Sequence, residues 1–217
     1  MEILPALVVV SAGEWHHKWA FAMKPFLALS VAAVLALFVP RGMAAGADEE
    51  ELWNLLKSGG QVVLMRHTLT PPGVGDPPGM RVDDCSTQRN LNDEGRRQAK
   101  ALGEVVRSRG VEFDRVLSSP MCRCLDTARL AFGRAEILNA TVNPRAGIED
   151  KPREVREMRA LATEKHRGGN VILVSHGTTI TGVTGLNVEP GELIVVTPQG
   201  GGHFELRGRL KPAASGS

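Results

Sequence analysis

QVVLMRHT, residues 61–68, is the stretch of this sequence that decides the fold. Residues 61–65 form an apolar, β-branched run, which is typical of a strand buried on both faces of a parallel sheet. The run ends at Arg66 and His67, so both side chains follow the carboxyl end of the predicted strand. Ligand-binding loops lie at this end of the strands in open α/β sheets. The stretch therefore predicts an α/β fold with a functional site directly after its first strand.

Strands alternate with helices along the rest of the chain. The predicted strands are Gln61–Met65, Phe113–Leu117, Glu136–Val142 and Val171–Val174, followed by a hairpin of Leu193–Thr197 and His203–Leu206. The predicted helices are Asp48–Lys57, a helix capped by Asn92 and closed by Gly110, a helix capped by Ser119 and closed by Gly133, and Pro152–Arg167. This order predicts a three-layer α/β/α sandwich with a mostly parallel central sheet and a C-terminal hairpin.

Length and composition fit one globular domain. The 217 residues are 42% hydrophobic and 23% charged, enough for one sizeable core and too few for two ordinary domains. We expect the domain to occupy residues 48–210 and residues 211–217 to form a disordered tail. The formal net charge is only +2 and the basic residues form no runs. Nothing in this balance indicates a nucleic acid as partner.

Residues 1–47 have the pattern of a signal peptide. Lys24 precedes the apolar run Phe26–Val39, and the small residues Ala45-Gly46-Ala47 provide a cleavage site. The run is shorter than the roughly 20 residues that a membrane-spanning helix needs. We therefore expect export, cleavage and no stable membrane anchor afterwards, with the mature protein in the periplasm or secreted; the alternatives are a retained membrane anchor and a buried N-terminal helix. A start at Met23 would give a signal peptide of ordinary length.

The chain has three cysteines, Cys85, Cys122 and Cys124. In an oxidising compartment an odd count is typical of one bridge and one thiol left over. We expect Cys85 to pair with either Cys122 or Cys124. A Cys-x-Cys pair is a weak metal signal on its own, and no further cysteine completes a zinc site.

Two histidines follow apolar strands, and two arginines accompany them. His67 comes after the first strand and His176 after the strand Val171–Val174, while Arg123 lies in the first turn of a predicted helix. A planar guanidinium matches two oxygens of a phosphoryl group at once, and a helix N-terminus also favours an anion. A neutral imidazole in line with the phosphorus can then attack it. This set predicts a phosphoryl-transfer site.

These residues resemble the motifs of the histidine phosphatase (phosphoglycerate mutase-like) superfamily, in its short exported bacterial type. Residues 64–68, LMRHT, resemble the family's Arg-His-Gly signature; residues 118–128, SSPMCRCLDTA, resemble its Ser-x-x-x-Arg-Ala-x-x-Thr-Ala helix; and residues 174–177, VSHG, resemble its second histidine motif. The match spans residues 61 to 206. All three motifs stand in the family's order and on the expected elements.

The resemblance implies roles for the matched residues. His67 would be the phosphorylated nucleophile, and Arg66, Arg123 and His176 would bind the phosphate and stabilise the transition state. No metal or other cofactor would be required. We further expect four residues of the same region to contact the substrate: Thr68, Ser119, Gly177 and Asp83.

The sequence departs from the family pattern in three places. Thr68 replaces the glycine after the first histidine, and Cys124 replaces the alanine after the second arginine. The family's general acid usually follows the third strand, where residues 138–143, LNATVN, contain no carboxylate. The candidate replacements are Asp83 and Asp84, or else Glu149 and Asp150. We expect Asp84 to be the catalytic acid, because its loop leaves directly from His67 and can fold back over it.

The predicted function is that of a phosphomonoesterase acting on a phosphorylated small molecule or an envelope component through a phosphohistidine on His67. A mutase is disfavoured, because export separates the protein from glycolytic intermediates. The alternative is a non-catalytic module on the same fold that binds a phosphorylated ligand or has a regulatory role, and the missing acid leaves this alternative open. The pattern does not indicate the substrate or the oligomeric state.

Overall fold

The structure is a computed structural model that describes residues 48–138 and 151–211. Its helices are α1 (Glu49–Ser58), α2 (Asp93–Ser108), α3 (Cys122–Phe132), α4 (Lys151–Thr163) and α5 (Gly177–Thr184), with a short 3-10 helix at Cys85–Thr87. Its strands are β1 (Val62–Arg66), β2 (Phe113–Ser118), β3 (Glu136–Ile137), β4 (Asn170–Ser175), β5 (Leu193–Gly200) and β6 (His203–Leu210). Among the described residues, no helix has the length and apolarity to cross a bilayer.

The six strands form one mixed sheet in the order β3-β2-β4-β1-β5-β6. Neighbouring strands from β3 to β1 run parallel, whereas β5 is antiparallel to β1 and β6 is antiparallel to β5. The predicted α/β class, the mostly parallel sheet and the C-terminal hairpin are therefore confirmed.

Alternate residues of each central strand pack on opposite faces of the sheet. Val63 and Met65 of β1 join one hydrophobic cluster with α1, α2 and α3. Val62 and Leu64 of the same strand join a second cluster with α4 and α5. Since side chains alternate along a strand, a strand covered on both faces must be apolar throughout. The two clusters confirm the three-layer arrangement.

The predicted cap of α2 is confirmed and that of α3 is wrong. The Asn92 side chain accepts a hydrogen bond from the N–H of Gly95 at 2.7 Å. The N-cap of α3 is Met121, without a side-chain hydrogen bond. Ser119 comes directly after β2, and its backbone still pairs with β4, because its N–H donates to the carbonyl of Val174 at 2.9 Å. The helix therefore begins later than predicted, and the Ser119 hydroxyl is available to the functional site.

Other helix and strand boundaries differ from the predicted ones at the ends where turns and loops begin. Helix α4 ends at Thr163, before the predicted Arg167, and the hairpin strands extend to Gly200 and Leu210. The extension is possible because Gly200, Gly201 and Gly202 have positive φ angles that allow a tight turn. Of the predicted strand Glu136–Val142, the structure describes the part that forms β3. Its predicted continuation, residues 139–142, lies outside the described residues, as do residues 1–47 and 212–217.

The sheet positions the site by ending three parallel strands at one edge. Residues Arg66, Ser118 and Ser175 end β1, β2 and β4, and helices α3 and α5 begin within a few residues of β2 and β4. The strands pair with Arg66 opposite Ser175 and Ser118 opposite Val174. Strand carboxyl ends and helix N-termini therefore meet at this edge, where an open α/β sheet places its ligands.

Candidate active site

His67 lies directly after β1 and is nearly buried, with 4% of its surface exposed. Its Nδ1 lies 2.8 Å from the carbonyl oxygen of Thr68. A carbonyl only accepts hydrogen bonds, so Nδ1 carries the hydrogen and Nε2 carries the lone pair. The backbone next to the ring thus selects the tautomer in which Nε2 is the nucleophilic nitrogen.

The surroundings of His67 keep its imidazole neutral. Burial lowers the pKa of His67 from 6.5 to about 4, against the hydrogen bond to Thr68, which raises it. The guanidinium groups of Arg123, Arg66 and Arg89 lower this pKa further. A cationic imidazole has no lone pair to attack with. His67 is therefore in its nucleophilic form across the neutral pH range.

Arg66 is held with part of its guanidinium turned to the pocket. Its Nη1 donates to the carbonyl of Val188 at 2.8 Å, while its Nε is buried and donates to no described residue. A Cβ added to Gly177 would lie 3.3 Å from Cδ and Nε of Arg66. Glycine at this position therefore leaves room for the guanidinium. Arg66 lines the pocket, where a guanidinium is suited to an anionic oxygen.

Arg123 lies in the first turn of α3 and is 3% exposed. Its Nη1 donates to Oδ1 of Asp76 at 3.0 Å. The same oxygen accepts the backbone N–H of Arg89 at 2.9 Å. A carboxylate thus already binds the guanidinium that the sequence assigns to phosphate.

His176 is the N-cap of α5 and is 5% exposed. Its ring centroid lies 5.5 Å from that of His67, and the two rings are inclined by 67°. The hydroxyl of Ser119 lies 3.1 Å from Nε2 of His176. The sulfur of Cys124 lies 3.7 Å from Nε2 and 3.8 Å from Nδ1, so it faces the imidazole ring. Ser119 and Cys124 together fix the position of this imidazole.

An open pocket of about 780 Å³ contains these side chains. Its lining comprises Arg66, His67, Asp76, Arg89, Arg123, His176, Gly177, Thr178, Thr181, Asn187, Val188 and Glu189. The structure therefore brings together five residues that the sequence analysis assigned to one site: Arg66, His67, Arg123, His176 and Gly177.

Thr68 and Ser119 lie behind the pocket and do not line it. The Thr68 hydroxyl is 3.1 Å from that of Thr127, and the Thr68 N–H donates to the same oxygen. The Thr127 hydroxyl in turn donates to the carbonyl of Arg123 at 2.7 Å. Thr68 therefore links the nucleophile's loop to the helix of Arg123. Contrary to expectation, both residues are placed to support the site and do not reach its surface.

Asp83 and Asp84 do not line the pocket, which corrects the expected position of the acid. Asp84 caps the 3-10 helix, where the Ser86 hydroxyl donates to it at 2.6 Å, and it pairs with Arg81. The Ser86 hydrogen bonds, helped by the Arg81 charge, hold the pKa of Asp84 below its ordinary value. This is the opposite of what a proton donor needs. Asp83 is solvent-exposed beside Arg81.

The sequence analysis missed two charged residues of the same loop, Asp76 and Arg89. The loop leaves from His67 and must return past the strand end to reach α2, so its charged side chains were all candidates. Asp76 stands among prolines and glycines, where no periodicity marks a direction. The other proposed acids, Glu149 and Asp150, lie outside the described residues.

A disulfide joins Cys85 to Cys122, one of the two expected pairings. The N–H of Cys122 also donates to the side chain of Gln88 at 2.9 Å. These contacts bind the loop of Asp76 to the start of α3, next to Arg123. Cys124 stays outside the bridge. Within residues 48–138 and 151–211, no three His, Cys, Asp or Glu side chains are grouped to hold a metal ion.

Comparison with known proteins supports the motifs. Residues 62–149 match the family model of the histidine phosphatase superfamily (branch 1). Broad-specificity phosphatase YOR283W from Saccharomyces cerevisiae is 33% identical over 78 residues, 36% of this chain and 34% of the yeast protein. The mitochondrial serine/threonine-protein phosphatase Pgam5 from Drosophila virilis is 30% identical over 83 residues, 38% of this chain and 26% of that protein. The matches thus span about a third or less of these relatives.

The fold is also that of a solved phosphatase. The crystal structure of alpha-ribazole phosphatase from Shigella flexneri superposes with a TM-score of 0.51, at 18% identity over 70% of this chain and 97% of that chain. The matched stretch contains the first histidine motif and the helix of Arg123, and the sheet places the second histidine beside them. In its sequence match over residues 62–149 and in its motif order, this chain is similar to the histidine phosphatase superfamily (branch 1), and it shares the fold of a solved phosphatase.

Proposed function

We propose that this chain is a phosphomonoesterase that works through a phosphohistidine on His67. The observation that carries the proposal is His67, with Nδ1 against the Thr68 carbonyl and the lone pair left on Nε2, in a pocket that also contains the guanidinium groups of Arg66, Arg89 and Arg123. A nucleophile and its anion-binding groups are thus present in the same pocket, as phosphoryl transfer requires.

The proposed reaction has two steps. In the first, the Nε2 lone pair of His67 forms a bond to phosphorus while the bond from phosphorus to the leaving oxygen breaks. Guanidinium groups stabilise the charge on the transferring phosphoryl oxygens. In the second step, water attacks the phosphohistidine, which releases inorganic phosphate and regenerates neutral His67.

The pocket supports a phosphorylated small molecule, or an exposed phosphate of an envelope component, as substrate. Its volume of about 780 Å³ falls within the range of small-molecule sites. Its outer wall carries Thr178, Asn187 and Glu189, which are exposed polar residues. Such a wall offers hydrogen bonds and no aromatic face for stacking. The yeast relative's name, broad-specificity phosphatase, agrees with a substrate choice that extends beyond one compound.

The test of this function is hydrolysis of p-nitrophenyl phosphate in the presence of a chelator. We expect turnover without added metal, because the proposed charge stabilisation comes from the guanidinium groups. After correction for ionisation of the substrate, the acid limb of kcat/KM should follow the His67 pKa of about 4 and not 6.5. Protonation of Nε2 removes the lone pair, so activity is lost below this pH and kept above it.

Two outcomes would contradict the proposal. Activity that disappears with chelator and returns with a metal ion would assign the histidines to metal binding. Tight binding of phosphate without any hydrolysis would favour the alternative, a non-catalytic module for a phosphorylated ligand.

We also propose that the protein is exported and matures at or near Asp48. Support comes from the leader-like sequence of residues 1–47 and from the Cys85–Cys122 bridge, which an oxidising compartment permits. N-terminal sequencing of the mature protein should begin close to Asp48, and non-reduced peptides should link Cys85 to Cys122. Uncleaved protein in the cytosol with reduced cysteines would contradict export.

A further inference from the structure

In the proposed reaction, the proton that the leaving oxygen needs has no assigned donor. When the bond from phosphorus to the leaving oxygen breaks, a sugar or alkyl leaving group departs as a basic alkoxide unless an acid protonates it. Among the described residues, the carboxylates that line the pocket are Asp76 and Glu189. Glu189 is exposed on the outer wall, whereas the Asp76 side chain is 23% exposed and contacts the phosphate-binding residue Arg123.

The two oxygens of Asp76 have different surroundings. Oδ1 accepts from Nη1 of Arg123 at 3.0 Å and from the N–H of Arg89 at 2.9 Å. Oδ2 makes no hydrogen bond to any residue that the structure describes. A protonated carboxyl group carries its hydrogen on one oxygen and still accepts with the other. Asp76 can therefore take up a proton on Oδ2 and keep both hydrogen bonds to Oδ1.

Substrate binding supplies the reason for this uptake. A phosphate on Arg123 brings a second anion against the Asp76 carboxylate, and two like charges at one guanidinium disfavour simultaneous ionisation. The other charged or titratable groups that line the pocket are Arg66 and His67 from the β1 end, Arg89 from the loop and His176 from the α5 N-cap. Without substrate, the Arg123 guanidinium contacts the Asp76 carboxylate, and with substrate it is shared between that carboxylate and the phosphate.

We propose that Asp76 is the general acid of this site and that phosphate binding at Arg123 gives it its proton, taken from water. The inference rests on the proposed phosphatase function. As the bond from phosphorus to the leaving oxygen breaks, the Oδ2–H bond also breaks and the proton passes to that oxygen. In the second step, the Asp76 carboxylate accepts a proton from the attacking water, and this proton returns to the solvent when phosphate leaves Arg123. Each catalytic cycle therefore begins and ends with the same protonation state.

The experiment compares two substrates in wild type and Asp76→Asn. Asparagine keeps an oxygen for Arg123 and for the Arg89 N–H but cannot deliver an acidic proton. We expect the single-turnover rate of phosphohistidine formation from glycerol 2-phosphate, whose leaving group is a basic alkoxide, to fall by about 10²- to 10³-fold. We expect the same rate from p-nitrophenyl phosphate, whose leaving group needs no proton, to fall by less than about 10-fold. Asp76→Glu keeps a carboxylic acid and should recover part of the activity on glycerol 2-phosphate.

The difference between the substrates separates a proton donor from a residue that only positions Arg123. Equal losses on both substrates, or a selective loss in Asp84→Asn or Glu149→Gln and not in Asp76→Asn, would overturn the inference. If wild type forms a phosphohistidine but Asp76→Asn shows no selective loss, only the role of Asp76 is wrong. If wild type hydrolyses neither substrate, the phosphatase function fails and the inference fails with it.

Discussion

His67→Ala is expected to form no phosphoenzyme and to lose roughly 10⁴-fold or more in kcat. Wild-type protein quenched in base during turnover should retain phosphate on His67, because phosphohistidine is labile in acid and survives alkali. The surroundings of the His67 ring determine which of its nitrogens should attack. Nδ1 of His67 is bound to the Thr68 carbonyl, and burial with the neighbouring arginines keeps the ring neutral. Nε2 is therefore the nitrogen that should carry the phosphate.

The measurement is rapid mixing with a phosphomonoester, base quench and mass spectrometry of the histidine-containing peptides. His203→Ala is the matched control, because His203 is exposed at the start of β6 and does not line the pocket. This variant should form the adduct at the wild-type rate. Turnover without any phosphoenzyme, or phosphate recovered on another residue, would show that His67 is not the nucleophile.

The fold was predictable because each central strand lies between two layers of helices. Residues 61–65 and 171–174 must be apolar throughout to be buried on both faces, and such runs are visible without a structure. The pairing of β1 with β4 then brings the residues after them together, so His67 and His176 follow from the same pattern. The capping of α2 by Asn92 was also predictable, because the cap bonds to Gly95, only three positions away. These features depend on neighbouring residues and on continuous apolar runs.

The missed features depend on contacts between residues far apart in sequence. Serine is a residue type typical of helix caps, yet the backbone of Ser119 remains beside β4 and its hydroxyl faces His176. Asp84 was expected to be the acid and Asp76 was missed, because no periodicity marks a direction in the loop that contains both. The loop's path depends on the Cys85–Cys122 bridge, whose partner the sequence left open. Once that path is known, Asp84 caps a 3-10 helix and Asp76 reaches the pocket.

In the proposed reaction, the helix N-terminus and the guanidinium of Arg123 would act on the same phosphoryl oxygens. Arg123 lies in the first turn of α3, so the helix N-terminus adds its partial positive charge to that of the guanidinium. The Thr127 hydroxyl donates to the carbonyl of Arg123, which fixes the turn that carries the guanidinium. A preorganised donor of this kind contributes more in the transition state than a mobile one.

Arg123→Ala is therefore expected to slow phosphohistidine formation by about 10²- to 10³-fold, and His176→Ala by about 10²-fold or more. Arg123→Lys should recover only part of the loss, because an ammonium keeps the charge but not the planar fork that binds two phosphoryl oxygens. Arg129→Ala is the control on the same helix, since Arg129 is exposed and does not line the pocket. Single-turnover rates at saturating substrate separate the chemical step from weaker binding. Full recovery by lysine would mean that charge alone matters at this position, and an unchanged rate in Arg123→Ala would remove Arg123 from the phosphate-binding residues.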